Sequence, residues 1–396
     1  MKIFVIILIC VNVFCVSVTT AQELVQGDQS AFMDTPYYLY HHQSKTIDDW
    51  TDGFNIITTQ KGTVLVNDGQ GIRRSTDGGN TWSEIISIGR DVRGCNAVID
   101  EATGAVLLVN PTGYRFISHD DGLTWKREAI TVLPNLIGHG SSEKKNLNAF
   151  AMQPGITLTY GKHLGRLIMP VRWLPSEELP WRPYIYNTAI YSDDHGKTWQ
   201  TTAPFPVFGT GEAALAEISD GRILYSSREH MSQGNRFFAW SYDGGERWLN
   251  YWRSKILPDG ARGTSYGCFG GLIRLPVKDR DILLYSNVDT DKGIMPPIDQ
   301  AGASRGQLRE NLTVWASFDG GETWPVKKLV FAGESGYSTL GVGRPSTSSQ
   351  GRIYILFDGC KNGVWGTKVT VFNLSWLLNG EKTGNGEVPE WIVDSR

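Results

Sequence analysis

The sequence contains few cysteines and no block of like charge. Its 396 residues include five cysteines, of which Cys10 and Cys15 lie in an apolar N-terminal run, leaving Cys95, Cys268 and Cys360. Three thiols spread over a long chain do not form a disulfide framework, although one bridge fits the count, so the fold depends on its hydrophobic core. The formal net charge is −3, and without a Lys/Arg-rich block it gives no basis for a nucleic-acid or anionic-membrane partner.

Motifs for several kinds of reactive site are also missing. His41 and His42 are adjacent, but no His-Glu-Xaa-Xaa-His or paired-cysteine spacing occurs, so a transition-metal site is not predicted. A calcium site formed by carboxylates of the turns stays an alternative on the sequence alone. Neither a phosphate-binding glycine loop nor a Ser-His-Asp nucleophile elbow is present, and almost nothing in the chain has the period of a long amphipathic helix.

The one long apolar run lies at the N-terminus. Met1 and Lys2 precede apolar residues 3–18 and then Thr-Thr-Ala-Gln, which predicts a secretory signal cleaved near Ala21 and a secreted or periplasmic protein. A membrane anchor is the alternative, but the run is shorter than the ~20 residues needed to cross a bilayer. We therefore expect a signal peptide over 1–21 and a single domain over 22–396 without a membrane span.

An eight-residue pattern occurs five times. Each copy has a Ser, an Asp two residues later, and Gly-Xaa-Thr/Arg-Trp at its end, as in "SHDDGLTW". The Asp side chain accepts hydrogen bonds from its own turn, and glycine supplies positive φ, so the pattern predicts a hairpin turn with a structural role. The copies end at Trp82, Trp125, Trp199, Trp248 and Trp324.

Short runs rich in β-branched and aromatic residues surround these turns, which we call Asp boxes. Several follow a Gly or Asp turn, and the irregular intervals between boxes exclude a simple solenoid. The pattern favours one sheet per blade with long insertions, and hence an all-β, six-bladed β-propeller with Asp-box hairpin turns. The six groups of strand-like residues are 62–66, 105–109, 167–171, 223–227, 282–286 and 353–357.

Three segments carry candidate site residues. "GEAALAEISDGRILYSSR" contains Glu212 and Arg228, "RENLTVWASFDGGETWP" begins with Arg309, and "ESGYSTL" contains Tyr337. A phenol with an ordinary pKa near 10 is a poor nucleophile at neutral pH, so a carboxylate must assist it. Guanidinium groups bind a carboxylate bidentately and stay charged. Glu217 is instead expected to be a turn or blade partner.

These segments, with the Asp boxes, "CNAVIDEATGAVLL" and "PGITLTYGKHLGRLIMP", resemble the sialidase superfamily, specifically the exo-sialidases of glycoside hydrolase family 33. The resemblance implies a retaining hydrolase that releases a terminal sialic acid or related ulosonic acid from glycans. It further implies that Tyr337 is the nucleophile, Glu212 its base, and Arg228 and Arg309 the second and third arginines that clamp the sugar carboxylate. Hydrolysis needs no cofactor, and a monomer is expected.

The sequence departs from the family pattern in its first and last blades. Asn55 stands where the family has its first clamp arginine, in "GFNIITTQKGTVL". The segment that would carry the acid is shortened to "VNDGQGI", which leaves Asp68 as the candidate and Arg73 close behind it as a substrate-binding candidate. Asp358 takes roughly the place of the family's late Glu, which steadies that first arginine.

Three hypotheses account for these departures. Another arginine, Arg73, Arg93 or Arg172, completes the clamp. Alternatively, the substrate is a related sugar acid or a neutral glycan handled with a rebuilt acid position. The third hypothesis is that catalysis is lost and the chain is a carbohydrate-binding propeller. Aromatic residues in inserted segments either stack on sugar rings or cover a seam between blades; these are Trp173, Trp181 and Trp252.

Overall fold

The computed structural model describes eleven stretches of the chain. The predicted signal peptide and Asp68 lie outside them. The described residues are 30–41, 54–67, 71–135, 146–149, 152–176, 178–231, 234–260, 267–277, 280–290, 309–381 and 389–393.

Strands dominate the described residues, as the alternation of β-branched and aromatic residues predicts. The first fourteen are β1 (Tyr37–His41), β2 (Asn55–Thr58), β3 (Val64–Asn67), β4 (Ile72–Ser75), β5 (Asn96–Asp100), β6 (Ala105–Asn110), β7 (Tyr114–Ser118), β8 (Lys126–Ala129), β9 (Thr131–Leu133), β10 (Leu147–Asn148), β11 (Ile156–Thr157), β12 (Leu167–Trp173), β13 (Tyr186–Ser192) and β14 (Thr198–Thr201).

Ten further strands and three α-helices of four residues each lie among the described residues. These strands are β15 (Thr210–Glu217), β16 (Ile223–Glu229), β17 (Asn235–Ser241), β18 (Leu249–Pro258), β19 (Leu272–Leu275), β20 (Ile282–Val288), β21 (Glu310–Ser317), β22 (Val326–Val342), β23 (Ile353–Lys361) and β24 (Val364–Phe372). The helices are α1 (Trp181–Tyr184), α2 (Leu374–Leu377) and α3 (Glu390–Val393).

The strands form five sheets that are mostly antiparallel. The first has the order β2-β3-β4, the second β5-β6-β7-β8, the third β10-β12-β13-β14-β9 with β11 beside β12, and the fourth β15-β16-β17-β18. The fifth sheet has seven strands in the order β1-β24-β23-β22-β21-β20-β19. Its strand β22 is long: the part from Val326 pairs with β21, and the part from Ser335 to Val342 pairs with β23.

The sheets are arranged in a closed ring. Around it β2 contacts β5, β5 contacts β12, β12 contacts β15, β15 contacts β19, β19 contacts β22, and β22 returns to β2. Apolar clusters fill the interfaces between neighbours; Leu215 and Tyr225 of the fourth sheet, for example, pack with Ile168 of the third. Burying a side chain of this size contributes about 1.5–3 kcal/mol, so the ring of interfaces is the core.

The Asp boxes repeat one hydrogen-bond pattern. In the second box, Ser118 Oγ donates to Asp120 Oδ1 at 2.8 Å and accepts from the Gly122 amide at 2.9 Å. The other four boxes have the same pair of bonds, between Ser75 and Asp77, Ser192 and Asp194, Ser241 and Asp243, and Ser317 and Asp319, each Ser also binding the glycine amide four residues on. The boxes therefore close hairpins, in agreement with the structural role predicted for them.

The all-β prediction is confirmed, and the arrangement is that of a β-propeller, but the count of six separate blades is not reproduced. Only four of the five sheets have the four or more strands of a typical blade. The difference arises because β22 runs without interruption through what the sequence suggested were two sheets.

No disulfide joins Cys95, Cys268 and Cys360, the cysteines of the described stretches. None of the helices in these stretches has the length and apolar character needed to span a bilayer.

Candidate active site

Glu212 lies at an irregular point of strand β15 in the fourth sheet. Its φ is +74°, and the pairing of β15 with β16 shifts register between Thr210 and Ala213. A β-bulge turns a side chain away from its regular direction, and positive φ in a residue other than glycine is strained. The Glu212 side chain is only 2 % exposed and forms an ion pair with Arg228 of β16, which is fully buried. The local backbone therefore aims a buried carboxylate at a specific partner.

Tyr337 reaches the same carboxylate from the fifth sheet. It lies in β22 where the pairing with β23 shifts register between Ser335 and Ser338. Its hydroxyl donates to Glu212 Oε1 at 2.8 Å and accepts from Arg228 Nη1 at 3.1 Å, while Arg228 Nη1 also donates to Glu212 Oε2. Tyr337 is half-buried, and its aromatic ring packs edge-on against that of Phe269, with centroids 5.8 Å apart.

Arg309 is a second guanidinium close to the aromatic ring of Tyr337. Its guanidinium carbon is 5.6 Å from the Tyr337 ring centroid, and that of Arg228 is 5.7 Å from the same point. Arg309 Nη2 donates to the carbonyl of Gly267 at 2.9 Å, which fixes the guanidinium. It precedes β21, whose second residue, Asn311, has a φ of +62°. Two guanidinium groups thus face one phenol.

This arrangement favours proton transfer from the phenol. A carboxylate accepts the phenolic proton, and a guanidinium donates to the same oxygen, so negative charge developing on that oxygen is stabilised as the proton leaves. The four predicted residues Tyr337, Glu212, Arg228 and Arg309 are therefore brought together, from positions far apart in the chain.

Asn55 and Arg73 have other contacts. Asn55 is buried, accepts from the Ala97 amide at 3.0 Å and donates to the Cys95 carbonyl at 3.4 Å, so its side chain joins the first sheet to the second. Arg73 lies in β4, two strands from β2, and donates to the Ser83 carbonyl at 2.8 Å. The structure does not bring Arg73 to the Tyr337 group, because its strand forms the outer edge of the first sheet. Asp68 lies outside the described residues, so its role stays a prediction.

Arg172 is the candidate arginine that does reach the site. Its Nη1 lies 3.9 Å from Glu212 Oε1, and its Nε donates to Asn148 Oδ1 at 3.0 Å. Arg93, the third candidate, is exposed.

Two amide side chains that were not predicted from the sequence hold the backbone around the site in place. Asn187 Nδ2 donates to the backbone carbonyl of Glu212 at 3.2 Å and to Ser227 Oγ at 2.8 Å, and so holds the irregular backbone at Glu212. Gln153 binds the backbone of Leu340 through both its amide nitrogen and its oxygen, and accepts from Thr339 Oγ1 at 2.7 Å. No spacing rule marks these residues, because each contact joins segments distant in the chain.

Charge around the site acts on His230, which is 2 % exposed. Burial, followed by the positive charges of Arg228, Arg182 and Arg172, lowers the pKa of His230 well below its ordinary value. The imidazole is therefore neutral at pH 7. Burial likewise raises the pKa of the Cys268 thiol.

The other residues considered from sequence have supporting contacts. Glu217 accepts from the amides of Thr159 and Tyr160 at 2.6 and 3.1 Å, which joins two sheets. Asp358 accepts from Thr367 Oγ1 at 3.3 Å.

The aromatic candidates differ in their placement. Trp173 stacks at 5.1 Å on Tyr186, its partner across β12 and β13, is 4 % exposed, and belongs to the apolar cluster shared by the second and third sheets. Trp252 stacks on Phe238 at 5.5 Å. The side chain of Trp181 is outside the described residues. Across the described stretches, no three His, Cys, Asp or Glu side chains are grouped to hold a metal ion.

Comparison with known proteins adds to this geometry. Residues 71–355 match the family model described as a BNR repeat-like domain. The chain is 29% identical over 341 residues to a sialidase of Micromonospora viridifaciens, covering 77% of this chain and 46% of that protein. It is 27% identical over 348 residues to a sialidase of Bacteroides fragilis, covering 74% of this chain and 58% of that protein. The chain thus spans about half the length of these curated relatives.

A solved structure has a similar fold. The Hadza microbial sialidase Hz136 superposes with a TM-score of 0.59 at 22% identity, over 86% of this chain and 69% of that one.

Proposed function

The chain belongs to the sialidase superfamily, and we propose that it is a retaining exo-glycosidase that releases a terminal sialic acid or related ulosonic acid from glycans. The observation that carries this proposal is the hydrogen bond of 2.8 Å from the Tyr337 hydroxyl to Glu212 Oε1. A phenol is activated as a nucleophile when a general base accepts its proton as it attacks.

The reaction proceeds in two displacements. Tyr337 Oη attacks the anomeric carbon of the sugar and its proton passes to Glu212, while the bond to the leaving oxygen breaks and that oxygen is protonated by an acid. We assign the acid to Asp68, between β3 and β4. Water then attacks the tyrosyl intermediate, giving its proton to the acid residue, while Glu212 returns the phenolic proton. Two inversions retain the configuration.

Recognition of the sugar acid falls to Arg228 and Arg309. Both guanidinium groups lie within 5.7 Å of the Tyr337 ring centroid, which supports their contact with a carboxylate on the carbon under attack. The pairing of a neutral phenol with a carboxylate base also avoids bringing a charged nucleophile toward an anionic substrate.

The same proposal includes six blades and export. Dividing the seven-stranded sheet within β22, where its partner changes from β21 to β23, gives two four-stranded blades. With the other four sheets these make six. We further propose that residues 1–21 direct the protein to the cell exterior or periplasm.

A binding protein without turnover is the second candidate. It is favoured by Asn55, whose amide joins two sheets at the position where the family has its first clamp arginine. Such a protein would keep affinity for sugar acids and lack hydrolysis.

The test is hydrolysis of fluorogenic ketosides of sialic and other ulosonic acids by the wild type, by Tyr337→Phe and by Tyr354→Phe. Tyr354 is a matched control because its hydroxyl donates to the Gly78 carbonyl at 3.1 Å, outside the Tyr337 group. We expect Tyr337→Phe to lower kcat by at least about 10³-fold and Tyr354→Phe to retain it. Proton NMR of the first product should show the anomer of the substrate. Absence of wild-type turnover on every ulosonic acid would contradict the proposal, and bound sugar acid without turnover would favour the second candidate.

A further inference from the structure

Arg172 is a charged residue in an otherwise apolar strand. β12 has the sequence LIMPVRW, and all seven residues are buried. The Arg172 side chain is 8 % exposed. Arginine is rarely buried to this extent without a specific interaction, because removing a guanidinium from water is costly. The polar groups around Arg172 therefore decide where its guanidinium lies.

The surroundings of Arg172 fix its direction. Asn148, its pairing partner in β10, accepts from Arg172 Nε at 3.0 Å, which orients the planar group. Gly211 leaves space beside it, since a Cβ at that position would lie 3.5 Å from Arg172 Cδ and 3.0 Å from His230 Nε2. The hydrogen bond to Asn148 Oδ1 and the space left by Gly211 thus orient the guanidinium toward Glu212.

The guanidinium lies close to the reacting atoms without bonding to the base. Arg172 Nη1 is 3.9 Å from Glu212 Oε1, which is beyond a hydrogen bond. The same oxygen accepts from the Tyr337 hydroxyl at 2.8 Å. Arg172 and Arg228 therefore flank one carboxylate, the one that accepts from the Tyr337 hydroxyl.

We propose that Arg172 is a substrate-binding residue that supplies the third guanidinium for the sugar carboxylate, from the third sheet, in place of the arginine missing at Asn55. The inference rests on the proposed function. It identifies the substrate as an acidic sugar whose carboxylate is bound asymmetrically, by Arg228 and Arg309 on one side and by Arg172 on the other.

The experiment compares a charged ligand with its neutral ester. Isothermal titration calorimetry measures binding of a 2,3-unsaturated ulosonic acid and of its methyl ester to the wild type, Arg172→Ala, Arg172→Lys and Arg115→Lys. Arg115 is a matched control, a buried arginine that binds Glu128 Oε2 at 2.9 Å on the second sheet. Circular dichroism checks that each variant is folded.

We expect Arg172→Ala to weaken binding of the acid by about 10- to 100-fold, the range of a lost charge-assisted hydrogen bond, and to change binding of the ester by less than about threefold. Arg172→Lys should lose part of the affinity, since an ammonium group keeps the charge without the planar fork. Arg115→Lys should bind both ligands as the wild type does. Equal losses for acid and ester, or no loss for either, would overturn the inference.

The outcomes separate this inference from the proposed hydrolase. Wild type that binds the acid without hydrolysing any ketoside removes the hydrolase and leaves the Arg172 comparison valid. Wild type that hydrolyses ketosides while Arg172→Ala treats acid and ester alike removes only the role of Arg172. Wild type that binds no ulosonic acid removes both.

Discussion

The hydroxyl of Tyr337 donates to Glu212 Oε1 at 2.8 Å, although the two residues are 125 positions apart in the chain. The contact joins the fourth sheet to the fifth. It therefore depends on how these two sheets pack, because the two residues lie in different sheets. The predictions that follow test this pair and the structure that holds it.

Replacing Glu212 by Gln should remove the base while keeping the shape of the side chain. We expect kcat on a fluorogenic ulosonic ketoside to fall by about 10²- to 10⁴-fold, the usual contribution of general base catalysis. Glu217→Gln is the matched control, because Glu217 lies in the same strand and binds the backbone of Thr159 and Tyr160. It should lose stability and retain kcat. Equal losses of kcat in both variants would show that the effect comes from folding.

Replacing Gln153 by Ala should lower the free energy of unfolding. The substitution leaves the backbone of Leu340 and the hydroxyl of Thr339 without the bonds that Gln153 supplies, at a cost of about 1–3 kcal/mol. Urea unfolding measures this loss. Since Thr339 lies two residues from Tyr337, kcat should fall as well.

Gln200→Ala is the control for that experiment. Gln200 donates to the Pro134 carbonyl at 3.0 Å and is half-buried on the third sheet. It should change neither quantity appreciably. A Gln153→Ala variant as stable as Gln200→Ala would contradict the assignment of Gln153.

The buried His230 should make stability depend on pH. In the unfolded chain the imidazole has a pKa of about 6.5, and in the folded chain burial and the neighbouring arginines hold the pKa well below that value. Below about pH 6.5 the unfolded chain therefore binds a proton that the folded chain does not. Stability decreases by up to about 1.4 kcal/mol per pH unit as the pH falls, and is unaffected above pH 6.5.

The check for His230 is urea unfolding between pH 7.5 and 5.0 for the wild type and for His230→Asn. The variant should be less stable overall and should have a shallower slope below pH 6.5. Parallel curves for the two proteins would show that other groups cause the dependence.

Removing the carboxylate of an Asp box should affect stability alone. Asp194 accepts from Ser192 Oγ at 2.8 Å and from the Thr198 amide at 2.8 Å. Asp194→Ala should cost about 1–2 kcal/mol with kcat unchanged, measured by urea unfolding and by ketoside hydrolysis. Lys197→Ala, at an exposed position in the same turn, is the control and should leave both unchanged. A large fall in kcat for Asp194→Ala would assign the box a role in the reaction.

The parts of the fold that follow from local rules could be predicted from sequence. The Asp boxes were recognisable because each places its donors and acceptors within a few residues, as Ser118 and Asp120 do. The number of separate sheets could not be predicted, because nothing in the residues of β22 marks the point where its pairing partner changes. Continuity of a strand depends on what packs beside it.

The candidate site divides in the same way. The Glu212, Arg228, Arg309 and Tyr337 group could be anticipated because family-like segments surround each residue. The roles of Asn187 and Gln153 could not, because an amide bound to a distant backbone has no sequence signature. Arg172 was one of three candidate arginines that the sequence did not rank, and the packing of β12 against β15 places it beside the Glu212 carboxylate.

The seventeen-residue strand β22 has a further consequence for the thermal unfolding of the protein. Since one uninterrupted strand pairs first with β21 and then with β23, and carries Tyr337 near the change of partner, we expect the two parts of the seven-stranded sheet to unfold together. Heating should therefore abolish turnover and native circular dichroism at one common temperature, without an inactive but folded species beforehand.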